Sequence, residues 1–526
     1  MPKYKFIPLI LLGSLTWVLT MWKSGLNYEY GIGFWGPHGH DAVWHLSLIN
    51  SLTKAHLTLP MYAGESLKNY HFGFDIMTAS LVRFTDIPAS VWYFQLLPIL
   101  FSLAIGFLVY KLTHSLWSIY FTYFATGLGW LVTLIRGQGL GGESLFWSQQ
   151  AISTLINPPF ALSLIFLLLG YIYLPKKNYL LIFLFFGLAG FIKIYAGILG
   201  LFTLFCVSIY KRDIKLFITF GFSSLLALIL FIPFNSLNNQ TLIFQPFWFI
   251  QNMLSTPDRF YWPRLSSAIT NYYLAGNIFK LVPASILALS IFFIGNLGVR
   301  VIGFLKIKSP LLPLILLGLI FPIFFVQTGT TWNTIQFFYY AQVFLGLLAG
   351  IYMKYNKSLL IKLLILIFTL PAIPATLSQY LPARPPSAIP TSEIQALKLL
   401  KDQPSGIVIT PLFNKSNFYK FTEPRPIFAY ESTAYVSAYS GHPVFLEDEV
   451  NLHILNININ DRKQTIQTLF TTNNLREAQK IITENHLKYL YLPDISFSLP
   501  KLSPLDLGFT NIFNTQNTQI WVNSVE

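Results

Sequence analysis

Apolar residues are not spread evenly along this chain. They fall into blocks of about 16–25, parted by short polar breaks and by three longer ones. A helix needs about 20 apolar residues to cross roughly 30 Å of hydrocarbon. Inside a bilayer no open alternative satisfies the backbone N–H and C=O groups, so such blocks must be helical. The pattern predicts about eleven spans, near 6–22, 88–110, 115–135, 158–174, 179–192, 195–210, 216–232, 281–299, 310–326, 337–353 and 358–377. The fifth and sixth are short and read as a hairpin that only just crosses. The first block follows Lys3 and Lys5 without a small-residue cleavage site, and reads as a retained helix rather than a leader.

The three long breaks are 23–87, 136–157 and 233–280. Loops of that length are functional or disordered, and their amphipathic, aromatic-rich stretches argue against disorder. At 381–390 a Pro-rich segment reads as an extended linker, and beyond it the pattern changes. Ser392 to Gln403 has helical periodicity, 406–410 reads as a strand, 474–485 as a helix and 488–492 as a strand. Helix-then-strand order predicts a small α/β domain. The expected fold class is an α-helical polytopic membrane protein with a small C-terminal exocytoplasmic α/β domain. Its expected divisions are 1–380, carrying the large first outer loop 23–87, then the linker 381–390, then 391–526. No inverted repeat of the kind many transporters carry is visible.

Composition agrees with the pattern. Of 526 residues 54% are hydrophobic and only 11% charged, against roughly 25% charged in soluble domains. Charge then adds orientation. With the N-terminus cytoplasmic, fourteen basic residues, among them Lys3, Arg300 and Lys308, face one acid on the inner side. The outer loops hold nine basic and seven acidic residues, and the tail from Arg384 holds twelve and thirteen. The net charge of +14 is therefore a positive-inside signature, and gives no reason to expect a nucleic-acid partner. The single cysteine, Cys206, excludes an internal disulfide and a thiolate metal site.

Candidate chemistry gathers in the outer loops. In Gly36-Pro-His-Gly-His-Asp-Ala-Val-Trp-His45 a helix should open at Asp41, with Val43, Leu46, Ile49 and Leu52 on its apolar face. Asp41 and His45, four apart, share a face and make a candidate proton-accepting pair. Asp41 equally suits the helix N-cap, and the two roles are compatible. His38, His40, Asp41 and His45 match no zinc spacing, so hydration of interfacial histidines is the simpler account. His71 and Asp75 repeat the four-residue spacing in the same loop. Lys193, in Gly190-Phe-Ile-Lys-Ile-Tyr195, either snorkels to the interface or faces the bundle interior, where a phosphate is its natural partner. Arg259 and Arg264 lie among aromatics and suit a phosphate, a sugar ring or a lipid headgroup. Trp332 and Asn333 offer an aromatic beside polar groups, as carbohydrate sites do, or simply cap the next helix. The Gly-rich stretch 137–143 matches no phosphate-loop spacing, and Glu143 in it is a minor candidate acid. The acids of Ser440-Gly-His-Pro-Val-Phe-Leu-Glu-Asp-Glu449, near His442, form either a lid or a solvated loop.

The chain resembles the GT-C glycosyltransferase superfamily. The resemblance rests on the long loop after the first helix with Asp41 in it, on Asn157-Pro-Pro-Phe-Ala-Leu opening a span, on Gly190-Phe-Ile-Lys-Ile-Tyr195 between short spans, and on an outer domain after the last helix. It departs from members with two adjacent acids in the first loop, since Ala42 follows Asp41. The resemblance implies a bacterial plasma-membrane enzyme that moves a sugar from a polyprenyl-phosphate donor to a glycan, lipid or protein acceptor at the outer face. Asp41 would be the base and His45 its orienting partner. His40, His71, Asp75, Lys193, Arg259, Arg264, Trp332 and Asn333 would contact substrate. A divalent metal is compatible with this but not required. Rival readings are a lipid-linked glycan polymerase or ligase, a transporter or flippase, and a scaffold of envelope assembly.

Overall fold

The computed structural model describes residues 5–234, 242–306, 309–515 and 517–523. Lys3, Lys308 and part of the third outer region, 235–241, lie outside them. Two compact units emerge. One comprises Met1–Met21, His71–Gly73 and Leu97–Gln379, the other Trp22–Tyr70, Phe74–Leu96 and Tyr380–Glu526. This partition differs from the expected boundary at 381–390.

The first unit is helical. Six described helices are long and apolar enough to cross a membrane: Ala89–Thr113, Ile194–Lys211, Ile214–Phe234, Ile278–Lys306, Thr331–Tyr355 and Leu359–Tyr380. The bent pair Leu116–Phe124 and Gly129–Ile135 makes a seventh if it is one span. Four shorter apolar helices, Ile7–Val18, Pro158–Tyr173, Tyr179–Ile192 and Leu312–Phe324, coincide with other expected spans. At 12–16 residues they are only about 18–24 Å long, short of the hydrocarbon thickness. Every expected span thus has an apolar helix, while length alone qualifies six or seven. The interior of this unit is Thr331–Tyr355, whose apolar window is 83% buried, against 17% for Ile214–Phe234 and Ile278–Lys306. The last two leave most of their apolar surface outward, as lipid-facing helices do. Polar side chains lock the interior: Tyr123 Oη donates to Ser102 O at 2.6 Å, and Trp17 Nε1 donates to Tyr123 O at 3.1 Å.

In the second unit the first outer loop and the tail share one sheet. Strands Asn27–Tyr28, Gly31–Phe34, Ser387–Pro390 and Arg425–Pro426 lie side by side, with Ile32 opposite Ile389. Gly31 has φ +121°, and a Cβ there would meet Ile389 O at 1.9 Å, so only glycine allows this pairing. The Pro-rich segment is therefore not a free spacer. It is extended, as proline demands, but its end is a sheet strand, and its carbonyl at Pro382 accepts from Trp35 Nε1 at 2.9 Å. A second sheet has the order Ile407–Ile409, Leu487–Leu492, Gln519–Asn523, Phe509–Asn514, parallel at the first pair and antiparallel after it. Helices Thr391–Lys401 and Leu475–Glu484 fall where helical periodicity placed them. The loop is also stitched to the tail by backbone bonds, Ala63 N to Val444 O at 2.8 Å and Glu447 N to Met61 O at 2.9 Å. Arg462 adds bonds to Phe445 O and Ala63 O while its guanidinium lies 3.7 Å from the Tyr62 ring centre.

Candidate active site

A 3₁₀ turn at Gly36–Gly39 runs directly into the helix Asp41–Thr53. This junction puts His40 at the cap position and Asp41 on the first helical residue. The N-cap position expected for Asp41 is thus taken by His40, because the helix starts one residue earlier than expected. A carboxylate at this first position still interacts favourably with the helix dipole.

The histidines of this stretch go three separate ways. His38 is buried, with Nδ1 2.7 Å from Ser24 Oγ, and burial pushes its imidazole down to about 3, so it is neutral. His40 lies between two carboxylates, Nδ1 3.0 Å from Asp41 Oδ1 and Nε2 3.3 Å from Asp448 Oδ1. Burial opposes its charge, but Asp448 and Asp41 outweigh burial and hold it well above its ordinary value of 6.5. His45 is buried and sets Nδ1 2.7 Å from Oδ1 of buried Asp75. Tyr70 Oη is 3.5 Å from its other nitrogen.

The expected Asp41–His45 pair is therefore replaced. Shared helix face is not shared depth: the Asp41 side chain is 53% exposed, whereas His45 is 6% exposed and takes the carboxylate that reaches its own depth. Likewise Asp75, expected beside His71, pairs with His45. His71 is half-buried, just before the helix Gly73–Thr85. Among the described residues no group of three or more His, Cys, Asp or Glu side chains is arranged to hold a metal ion. Each nitrogen of His40 faces a different carboxylate, so these three groups do not converge on one point.

Asp448 is the residue sequence reasoning passed over as one acid in a tail loop. It is fully buried, sits at φ +51°, and caps the helix Glu449–Ile454 by accepting from Asn451 N at 3.2 Å. A non-glycine residue held in the left-handed region is an uncommon, costly conformation. The signal available in sequence was an Asp three residues before an Asn at a helix start, which reads only as a cap. His442 does not join these acids; its ring faces Gly406 O and the edge of Tyr489.

In the first unit, two motifs that lie far apart in sequence meet. Lys193 is 3% exposed, and its Nζ donates to Asn157 Oδ1 at 2.9 Å. The same Oδ1 accepts from Phe160 N at 3.1 Å, capping Pro158–Tyr173. Lys193 is extended, with φ −156°, and forms the one-residue break between Tyr179–Ile192 and Ile194–Lys211. The break is tight: a Cβ on Gly197 would come within 2.4 Å of Gly190 Cα. Of the two sequence readings of Lys193, burial favours the interior position over snorkelling. Nearby in the chain, Tyr195 Oη donates to Gln327 Oε1 at 3.0 Å.

Arg259 donates Nη1 to Ser144 O at 2.9 Å and stacks on Trp147, its guanidinium carbon 3.8 Å from the ring centre. Arg264 is exposed on the first turn of Pro263–Leu274. Trp332 is 47% exposed, while Asn333 is buried and accepts from Gln336 Nε2 at 3.4 Å; among the described residues no side chain caps the start of the helix Gln336–Tyr355, so the expected capping role is not what the structure shows. Glu143 is bonded by Ser153 Oγ, and burial raises its carboxyl. Arg300, counted on charge grounds as an inner surface residue, is instead buried and donates Nη2 to Ala125 O at 2.6 Å.

No family model matches this sequence, and no curated protein matches it. The chain is similar to several solved structures. One is the Archaeoglobus fulgidus oligosaccharyltransferase in the apo form, at 13% identity and TM-score 0.48, covering 100% of this chain and 75% of that one. A second is the archaeal oligosaccharyltransferase AglB from Archaeoglobus fulgidus in complex with an inhibitory peptide and a dolichol-phosphate, at 13%, 0.47, 99% and 74% respectively. A third is ArnT from Cupriavidus metallidurans bound to undecaprenyl phosphate, at 9%, 0.38, 100% and 99%. At such scores the likeness carries no argument about activity or about individual residues.

Proposed function

We propose that this protein is a membrane glycosyltransferase that moves a sugar from a polyprenyl-phosphate donor to an acceptor hydroxyl at the outer face, with inversion. The observation that carries the reading is the chain Asp41–His40–Asp448. An exposed carboxylate is held in place by a charged imidazole, which is itself held by a buried carboxylate.

In the reaction the acceptor oxygen attacks the anomeric carbon and the carbon–oxygen bond to phosphate breaks. The bonding electrons leave on the polyprenyl phosphate, and the hydroxyl proton passes to Asp41. A single displacement inverts the anomeric centre. The base raises the nucleophilicity of the hydroxyl, and His40 and Asp448 hold it in one orientation. The departing phosphate needs cations rather than an acid. Within the helical unit, Lys193, whose Nζ donates to Asn157 Oδ1, is the residue we assign to binding a phosphate, with Arg259 as a second candidate. His45 keeps no part in proton transfer. With Asp75 it fixes the helix that carries Asp41.

The test is transfer of labelled sugar from synthetic polyprenyl-phosphate donors by the purified protein, with the Asp41→Asn variant alongside. Transfer abolished by that single change supports the reading. Absence of transfer with every such donor, together with no polyprenyl phosphate co-purifying, sinks it.

A further inference from the structure

The second unit contains a cleft of about 160 Å³ within the tail, and Asp448 forms part of its wall. Asp448 thus has two faces, one toward His40 and one toward this space. The volume is well short of the ~300–1,000 Å³ of pockets for drug-sized ligands, and leaves room for a single ring-sized group.

The lining has a one-sided chemistry. Glu431, Glu447, Asp448 and Glu449 contribute to it, and no lysine, arginine or histidine does. The lining offers a phosphate no cationic side chain of its own, which disfavours the donor headgroup here. Most of the acids are already engaged. Glu447 accepts from Val436 N and Ser437 N at 2.9 and 3.1 Å; burial raises its carboxyl to about 8 against the pull of those two bonds. Glu449 is paired with Lys463 at 2.7 Å, and Asp448 with His40. Glu431 forms no ion pair among the described residues. Burial and the fields of Asp41 and Asp448 raise its carboxyl, and only His40 counters them.

A second observation is independent of the acids. Thr433 lines the same cleft, is 5% exposed, and its Oγ1 has no hydrogen-bond partner among the described residues. A buried hydroxyl left without a partner is destabilising, so a ligand that meets it gains accordingly. Phe413, Phe428 and Phe497 give the cleft apolar walls, the surface against which the C–H face of a sugar ring packs.

We infer that this cleft receives the acceptor, and that the acceptor presents to it one sugar ring bearing an ammonium group. Glu431 takes the ammonium, Thr433 takes a ring hydroxyl, and the aromatic walls take the ring face. The inference rests on the transfer reading above for the word acceptor, but the binding chemistry stands by itself.

The experiment uses the full chain in nanodiscs and isothermal titration calorimetry with four probes: glucosamine, N-acetylglucosamine, glucose and inorganic phosphate. Glucosamine should bind saturably. N-acetylglucosamine and glucose, lacking the charge, should bind about tenfold or more weakly, and phosphate should not bind. Glu431→Gln should weaken glucosamine by about tenfold and bring its affinity to that of glucose. Thr433→Val, nearly isosteric, should weaken all three sugars alike. Absence of saturable glucosamine binding, equal affinity of wild type for glucosamine and N-acetylglucosamine, or indifference to both substitutions overturns the assignment. The wild-type selectivity decides the matter even if a variant fails to fold. Sugar binding without transfer from any polyprenyl-phosphate donor sinks the transferase reading and leaves the cleft. Transfer without sugar binding does the reverse.

Discussion

The helical unit and the loop-plus-tail unit solve the problem of buried polar groups in opposite ways. Around Lys193 a single ammonium is accommodated by a neutral amide, and the amide is already committed to capping a helix. Around His40 the polar groups are charged and alternate in sign, from Asp41 through the imidazole to Asp448. Under the proposed transfer reading, the contrast separates a candidate cation for phosphate from a candidate base. The Lys193 ammonium donates to a neutral amide oxygen, and that bond does not cancel its charge. A carboxylate held by an imidazolium keeps its place.

The comparison breaks most sharply at Asp41. Asp41→Asn removes the proton acceptor while leaving the helix start intact. Transfer should fall by roughly 10²–10⁴-fold, the range for loss of a general base. Thermal stability should move by less than about 1 kcal/mol, the scale of a dipole interaction at a helix end. Near-normal turnover would leave Asp41 with a purely structural role.

Lys193→Met tests the other side. The stem is kept and the charge lost, so donor affinity should weaken by about tenfold or more. The Asn157 cap should survive, and the variant should melt close to the wild type. Unchanged donor affinity in a titration with polyprenyl-phosphate sugar would remove Lys193 from the phosphate site.

His45→Gln separates orientation from chemistry within the loop-plus-tail unit. It disturbs the buried bond to Asp75 and should cost about 1–3 kcal/mol of stability. Turnover per folded molecule should change little, because His45 faces away from Asp41 in its bonding. A loss of turnover as large as that of Asp41→Asn, at unchanged stability, would restore His45 to proton transfer.

The smallest effect concerns pH. His40 is raised above its unfolded value of 6.5. The stability it contributes is therefore fully present below that value and is lost as pH rises through the higher folded value. Asp448→Asn removes one of the two carboxylates that raise it, so the alkaline loss should begin at lower pH. Melting curves between pH 6 and 10 read this directly; coincident profiles for wild type and variant would show that Asp448 does not hold the imidazole charged.

Much of the first unit was legible in the sequence, since each expected span has an apolar helix and the breaks at Lys193 and Asn157 were flagged as motifs. Their meeting was not legible. The two residues are 36 positions apart, and nothing in either motif names the other. The i,i+4 spacing of Asp41 and His45 was read correctly as a shared face and wrongly as a pair. Periodicity gives direction around a helix axis, whereas pairing depends on depth and on what the next element presents.

The sequence by itself determined what local physics sets: apolar helices where backbone groups need internal partners, a polar α/β tail, and the residues able to carry charge or protons. Only the tertiary structure decided the partners. It joined the first outer loop to the tail in one sheet, turned a Pro-rich spacer into a strand, and brought Asp448 to His40 across some four hundred residues. The reason is that side-chain pairing is a long-range choice. A buried polar group takes whichever partner packing delivers to its depth, and packing depends on the whole chain at once.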